Sequence, residues 1–182
     1  MTTIPPRYNR TAVLLHWLIA VMILGTLALG LTMVDLPLSP NKLKLYSWHK
    51  WAGMTVFALV IVRVIWRLTH QAPALPSSMG PLSRLLAHAG HWTLYALMVA
   101  IPLSGWLMSS AQGFSVVWFG VLPIPDLVPA SPAWGERLAS VHTLLNDALL
   151  VVLAGHIGAA LYHYLVKKDG VMARMVPFLK QP

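Results

Sequence analysis

Three histidines stand in the otherwise apolar stretch HTLLNDALLVVLAGHIGAALYH, residues 142–163, in which Asp147 is the only formal charge. His142 and His156 are 14 residues apart. That is close to four helical turns, so both rings leave nearly the same face of a helix, about 21 Å apart along its axis. His163 follows seven residues later on that face. A buried imidazole is costly unless it is bonded, and it is a good metal ligand when a hydrogen bond fixes its other nitrogen.

The composition places these histidines in a membrane protein. The chain has 182 residues, of which 57% are hydrophobic and 10% are charged, and its mean hydropathy is +0.67. A soluble domain carries about 25% charged residues. The absence of cysteine excludes disulfides, thiolate ligands, iron–sulfur clusters and covalent c-type haem attachment. Any metal must therefore be held by nitrogen, oxygen or thioether sulfur.

Four segments are long and apolar enough to cross a bilayer, which takes about 20 residues. They predict an all-α integral membrane protein, a bundle of four transmembrane helices that forms one domain over residues 1–182. The first segment is too long and too weakly bounded for a signal peptide, so we expect it to be retained. The predicted spans are about 11–34, 47–68, 85–109 and 141–166.

The distribution of basic residues predicts the orientation of the bundle. The N-terminus, the connection between the second and third spans, and the C-terminus hold nine of the 13 lysines and arginines. By the positive-inside rule, both termini should face the cytoplasm. The net charge of +8 is then explained by anionic lipid headgroups, and no nucleic-acid partner is expected. The nine residues are Arg7, Arg10, Arg63, Arg67, Arg84, Lys167, Lys168, Arg174 and Lys180.

Four histidines fall into two pairs at two depths in this orientation. His16 and His156 lie toward the cytoplasmic side, whereas His49 and His142 begin the second and fourth spans at the outer side. A lone membrane histidine usually hydrogen-bonds a neighbouring helix, but four at matched depths favour a metal or haem role. Two imidazoles facing each other across a bundle can clamp a flat haem and leave the iron six-coordinate for electron transfer. Such pairs are also compatible with a histidine-lined metal-ion transporter.

Short motifs in all four spans resemble a known family. In chain order they are LLHWLIA, HKWAG, VRVIWRL, LAHAGHWTLYALMVAIPLSGWLM, VHTLL, AGHIGAALYHYLVKKD and RMVP. Their order and the histidine spacings resemble the bacterial di-haem cytochrome b561 family over almost the whole chain. Within that family, the resemblance is greatest to the small members that oxidise superoxide and reduce ubiquinone. It implies two haem b groups, ubiquinone as electron acceptor, and a multi-pass location in the bacterial inner membrane.

The resemblance also implies roles for individual residues. His163 matches a histidine beside the quinone site, and His91 matches a retained histidine that is not an axial ligand. Arg63 and Arg67 match a pair placed to meet inner-haem propionates or lipid phosphates, although snorkelling to the headgroups explains them equally well. The family's lysines near the quinone are missing from the loop HQAPALPSSMG, so a quinone contact there is not implied. The implied axial ligands are His16 and His156 for the inner haem, and His49 and His142 for the outer haem.

Three functions are open from the sequence. The first is superoxide:ubiquinone oxidoreduction, with superoxide attracted to the entrance at His49 by Lys42, Lys44 and Lys50. The second is an electron-transfer subunit that links a partner dehydrogenase or cytochrome in the periplasm to the quinone pool. The third, from a different class, is the metal-ion transporter. Asp147 adds an intramembrane carboxylate near the outer pair, for which we expect a structural hydrogen bond.

Overall fold

The structure is a computed structural model that describes residues 7–179; Lys180, one of the predicted inner basic residues, lies outside this range. Its four long helices are α1 (Arg10–Val34), α2 (Pro40–Thr69), α3 (Pro81–Ala111) and α4 (Pro132–Tyr162). Each is long and apolar enough to cross a membrane, which confirms the predicted all-α membrane bundle. The orientation stays a prediction, and we call the end that carries both termini the inner end and the opposite end the outer end.

Side-chain caps mark the starts of α1 and α2, and proline marks those of α2, α3 and α4. The side chain of Asn9 accepts a hydrogen bond from the backbone N–H of Ala12 at 2.8 Å, and that of Ser39 accepts one from Lys42 at 3.2 Å. Proline occupies the first position of α2, α3 and α4, where its missing N–H costs nothing and its fixed φ suits the helix. Two helices therefore extend well beyond the membrane segments that hydropathy detects.

These extensions change the place of the outer histidines. The second helix begins at Pro40 rather than at residue 47, and the fourth at Pro132 rather than at residue 141. His49 and His142, which were predicted to begin the second and fourth spans, therefore lie about two to three turns inside their helices, and the place where the bilayer begins along α2 and α4 stays a prediction. Both rings are consequently held by helical backbone on both sides.

The core of the bundle lies at mid-depth. α1 packs against α2, α2 against α3, and α3 against α4. Ile19, Val56 and Val60 are buried together, and Val60 has no exposed surface. Many large apolar side chains elsewhere face outward, as expected where lipid is the solvent. The aliphatic core includes further partly buried side chains, namely Met22, Ile23, Leu59, Val64, Met98 and Val99.

A short hairpin lies over the outer end, in the connection between α3 and α4. Its strands, β1 (Val117–Trp118) and β2 (Leu122–Pro123), are antiparallel. The indole of Trp51 in α2 donates to the carbonyl of Val117 at 2.6 Å. In return, the indole of Trp118 donates to the hydroxyl of Thr55 at 3.1 Å. These two bonds fix the hairpin to α2 at positions two and six residues further inward than His49.

The C-terminal segment folds back across the inner end. The indole of Trp17 in α1 donates to the carbonyl of Met175 at 2.8 Å, and Arg7 donates to the carbonyl of Pro177 at 3.0 Å. The segment therefore packs beside the start of α1. It consists of a π-helical turn (His163–Lys167), a left-handed residue at Lys168 with φ of 51°, and a 3₁₀ turn (Met172–Arg174).

Candidate functional site

The outer pair is formed by His49 of α2 and His142 of α4. Their ring centroids are 6.3 Å apart and the ring planes cross at 81°. A first-row metal lies about 2 Å from a bonded imidazole nitrogen and roughly 3 Å from the ring centroid, so two rings that share one ion are about 6 Å apart. The spacing of these two rings therefore fits a single metal ion held between them.

Hydrogen bonds fix both outer rings through the same nitrogen. Nδ1 of His49 is 3.2 Å from the carbonyl of Thr26, and Nδ1 of His142 is 3.2 Å from the carbonyl of Ile101 and 2.9 Å from the hydroxyl of Ser104. Because a carbonyl only accepts, each Nδ1 carries the proton. The Ser104 hydroxyl donates to Ile101 at 2.7 Å, so its oxygen is free to accept from His142. Each ring is therefore the tautomer protonated at Nδ1. Its Nε2 keeps the lone pair that a metal ion needs.

Two glycines allow the neighbouring helices to approach these rings. A Cβ added at Gly30 of α1 would lie 3.1 Å from Cε1 of His49, and one added at Gly105 of α3 would lie 3.1 Å from Cε1 of His142. Both distances are tighter than ordinary packing contacts. The glycines are therefore part of what positions the outer pair, in agreement with the close helix approach that membrane glycines permit.

A largely apolar cavity borders the outer pair. It contains about 680 Å³ of space free of protein atoms, part of it open to the outside. A Cβ added at Gly53 in its wall would meet no protein atom within 4 Å. The apolar lining of this cavity suits a flat apolar cofactor. Its wall also includes Ile23, Leu27, Met54, Val56, Met98, Pro102, Trp106, Val116 and Leu149.

The inner pair is formed by His16 of α1 and His156 of α4. Their ring centroids are 6.2 Å apart and the planes cross at 64°, so this spacing also fits one shared ion. Its surroundings differ from those of the outer pair. Nη2 of Arg63 is 3.5 Å from Nδ1 of His16, and the same guanidinium donates to the carbonyl of Ala12 at 2.9 Å and to the hydroxyl of Tyr95 at 3.1 Å. Arg63 is thus held inside the bundle rather than extended to the headgroups.

A third imidazole lies beside the inner pair. The ring of His91 in α3 has its centroid 5.5 Å from that of His156, with the planes at 71°. The sequence placed His91 near the inner end but gave no sign that it contacts a paired histidine. The geometry alone therefore leaves His156 with two imidazole neighbours, His16 and His91.

Arg63 and Arg67 share a second, smaller cavity at the inner end. It contains about 370 Å³ free of protein atoms. Arg67 lines it together with Trp66 and with His70, whose ring stacks on Trp66 at 3.7 Å between centroids. Two arginines at the wall of one cavity are well suited to carboxylates or phosphates.

His163 does not join the inner pair. Its Nδ1 is 2.5 Å from Oδ2 of Asp169, with both side chains mostly buried. Asp169 follows the left-handed residue Lys168, which turns the chain back so that the carboxylate meets the ring. Asp169 was not among the residues expected at the site, and in the sequence only its position six residues after His163 points to it.

A comparison with known protein families shows to which family this chain belongs. The model of the prokaryotic cytochrome b561 family matches residues 7–178. The chain belongs to this family. It is accordingly a multi-pass membrane electron-transfer protein, and the family implies b-type haem.

Several relatives match this cytochrome b561 chain over nearly its whole length. Cytochrome b561 homolog 2 of Escherichia coli K12 is 34% identical, covering 96% of this chain and 94% of the relative. The probable superoxide oxidase CybB of Yersinia pestis is 27% identical, covering 94% and 96%. Cytochrome b562 of Cereibacter sphaeroides is also 27% identical, covering 94% and 96%.

The outer lysines of this family member are not equivalent. Lys50 lines the outer cavity and donates to the carbonyl of Phe114 at 3.1 Å. Lys42 instead donates to the carbonyls that end α1, including that of Val34 at 3.0 Å, and Lys44 lies over the ring of Trp48. Of the three lysines predicted around the entrance, only Lys50 lines the cavity.

Asp147 is exposed on the surface of α4. Within residues 7–179, its carboxylate has no hydrogen bond or ion pair to another side chain or to the backbone. The expected structural hydrogen bond is therefore absent from this part of the chain. The side chain points away from the helix face that carries His142, which explains why nothing in the bundle meets it.

Proposed function

We propose that this cytochrome b561 protein holds two haem b groups, one between His49 and His142 and one between His16 and His156. The outer pair carries the proposal, because ring spacing, fixed tautomers, close glycines and an apolar cavity all meet the needs of one bis-imidazole site. When bound, haem supplies one-electron chemistry at each depth. The four imidazoles would hold the two haem irons, and electrons would enter and leave through the haems without a residue acting as nucleophile or acid–base dyad.

We further propose that the outer end oxidises superoxide and the inner end reduces ubiquinone, across a bacterial inner membrane. Two superoxide anions would each lose one electron and leave as dioxygen, while one ubiquinone would take up two electrons and two protons to become ubiquinol. The name of the Yersinia relative supports this donor. Lys50 supports it independently, because a cation in the wall of the outer cavity attracts a small anion.

His163 and Asp169 are proposed to serve the quinone at the inner end. The carboxylate of Asp169 at Nδ1 orients the ring of His163, and an imidazole in this position can exchange a proton with a reduced quinone. Replacing His163 by Phe should leave both haems reducible and slow their reoxidation by a soluble ubiquinone analogue. Asp169→Asn should have a smaller effect of the same sign. Unchanged reoxidation in both variants would place the quinone elsewhere.

The second candidate is an electron-transfer subunit that receives electrons from a partner dehydrogenase or cytochrome. It needs the same haems and quinone but no superoxide chemistry. The metal-ion transporter has less support, since Ile19, Val56 and Val60 form an aliphatic layer between the two pairs. An ion moving from one pair to the other would have to cross that layer without polar ligands.

The deciding experiment uses the purified protein alone. If superoxide is the donor, a superoxide source should reduce the haems, and a ubiquinone analogue should reoxidise them, with no partner present. The rate should fall as ionic strength rises, because the field of Lys50 is screened beyond about 10 Å at 0.1 M salt. Lys50→Gln should slow reduction by superoxide but not by dithionite, and Lys44→Gln is the matched control. A protein that ignores superoxide yet is reduced by a periplasmic extract would favour the subunit.

A further inference from the structure

An open groove runs along the inner end between the start of α1 and the C-terminal segment. It contains about 1,400 Å³ of space free of protein atoms. Residues of α1 from Arg10 to Trp17 form one wall, and Arg174, Pro177 and Phe178 form the other. The two walls are joined at one edge by the hydrogen bond from Trp17 to the backbone of the C-terminal segment. The groove plays no part in the haem or quinone sites proposed above.

The α1 wall changes from basic to apolar with depth. Arg10, Val13, Leu14 and Trp17 are spaced three, four and seven residues from the first, which puts them on one helix face. Arg10 is the first residue of α1, and the three apolar side chains lie deeper along the helix. Leu14 is 66% exposed. A ligand that follows this wall therefore meets positive charge at the headgroup level and apolar surface below it.

The arginines of the groove lack acidic partners. Arg174 is only 8% exposed; its Nη1 donates to the carbonyl of Ala74, whereas its Nε has no hydrogen-bond partner among the described residues. Within residues 7–179, the one ion pair joins His163 to Asp169, and neither residues 1–6 nor residues 180–182 contain an acidic side chain. A buried cation without a counter-charge is costly. The first turn of α1 also lacks an acidic residue to complement the helix dipole.

We propose that this groove binds one anionic phospholipid. The phosphate lies among Arg7, Arg10 and Arg174, and an acyl chain follows Leu14 and Trp17. Free phosphate offers the same charge to the arginines but leaves the apolar wall uncovered. A zwitterionic phospholipid covers the wall but brings no net charge. Only an anionic lipid satisfies both parts of the groove.

The test compares lipids on the purified full-length holoprotein in a neutral detergent. Native mass spectrometry should show one retained phosphatidylglycerol, bound at least about fivefold more tightly than phosphatidylcholine. Arg10→Gln removes an exposed side chain and should weaken phosphatidylglycerol binding about fivefold. Lys167→Gln removes the same charge from another exposed position at the inner end and should change binding less than twofold. Inorganic phosphate should neither displace the lipid nor raise the melting temperature.

Four results would overturn the proposal. Equal binding of the two lipids removes the need for charge, and equal weakening by Arg10→Gln and Lys167→Gln reduces the effect to general surface attraction. Displacement of the lipid by inorganic phosphate would assign the site to a free anion. Arg174→Gln extends the test to the buried cation, and its haem content and melting temperature, measured without lipid, separate lost binding from lost folding. A folded Arg174→Gln protein that still prefers phosphatidylglycerol fivefold would also contradict the proposal.

Discussion

The outer and inner histidine pairs have almost the same ring separation, 6.3 and 6.2 Å, but different surroundings hold the rings. At the outer pair, backbone carbonyls fix both rings and glycines of two helices pack against them. At the inner pair, a guanidinium faces His16 and a third imidazole lies beside His156. Backbone carbonyls and close-packed glycines therefore hold the outer pair. The inner pair has a similar ring separation but lies next to a positive charge and a third histidine.

This difference affects two properties of a haem site, namely the affinity for the haem and its reduction potential. Fixed tautomers and close packing determine how tightly the ligands hold iron. A buried cation instead favours the reduced haem, which carries one positive charge less than the oxidised form. We therefore expect the outer site to depend mainly on packing, and the inner site to have the higher reduction potential. Electrons would then move downhill from the outer end to the inner end.

The largest effect is expected from removal of an axial ligand. His49→Ala or His142→Ala should lower the haem-to-protein ratio, measured as the pyridine haemochromogen, from two to about one, because the pairs lie about four helical turns apart. His16→Ala should do the same at the inner site. His91→Ala should retain both haems if His16 is the partner of His156.

The opposite result would change which two histidines are assigned to the inner pair. If His91→Ala lost a haem and His16→Ala kept two, the inner site would join α3 to α4 instead of α1 to α4. His163→Phe serves as a further control, because the hydrogen bond to Asp169 holds that ring away from the pair. Loss of a haem in this variant would contradict the placement of His163 at the quinone.

The next effect tests the packing of the outer pair without touching a ligand. The branched side chain of Gly105→Val would press on His142, whose ring cannot retreat because Ile101 and Ser104 hold it. Overpacking of this kind costs about 1–3 kcal/mol, so outer-haem affinity should fall roughly 5- to 150-fold. Gly25→Ala is the matched control, since its Cβ would meet nothing within 4 Å. Equal haem retention in both variants, measured by titration of the apoprotein, would show that close packing is unimportant.

The sequence predicted the bundle well because hydropathy and charge report directly on the membrane. It also indicated which histidines share a depth, since helical periodicity converts spacing into height. The predicted spans do not include the first turns of α2 and α4, because those turns lie outside the apolar segments. A serine followed by proline, at Ser39–Pro40 and at Ser131–Pro132, was the signal that could have found them, although only Ser39 makes a capping hydrogen bond.

The lateral neighbours of each histidine could not be predicted in the same way. Depth does not tell which way a side chain points around the helix axis, so neither the contact of His91 with His156 nor the retention of Arg63 inside the bundle was foreseen. Asp169 meets His163 only because Lys168 adopts a left-handed conformation. Side-chain direction likewise separates Lys50, at the cavity, from Lys42, which binds the end of α1.

A smaller effect is expected when the inner cation is removed. Arg63→Gln should lower the reduction potential of the inner haem by about 60 mV, which is tenfold in a one-electron equilibrium, and leave the outer potential unchanged. Spectroelectrochemical titration of the purified protein measures both potentials. Arg10→Gln removes a charge at the same end without touching His16 and should shift neither. An unchanged or raised inner potential in Arg63→Gln would remove the electrostatic basis of the downhill direction.

The smallest effect is expected at the hydroxyl beside the outer pair. Ser104→Ala removes one acceptor from Nδ1 of His142, but the carbonyl of Ile101 remains at 3.2 Å, so the tautomer and both haems should be retained. A hydrogen bond at Nδ1 makes the imidazole a stronger donor and favours oxidised iron, so its weakening should raise the outer potential by about 10–30 mV. The same titration measures it, with Ser110→Ala as the control, because Ser110 donates to the carbonyl of Trp106 and does not contact His142. A haem lost from Ser104→Ala would mean that the hydroxyl, and not the backbone, fixes the ring. The outer pair would then depend on a single side chain, as the inner pair depends on Arg63, and the contrast between the two sites would narrow.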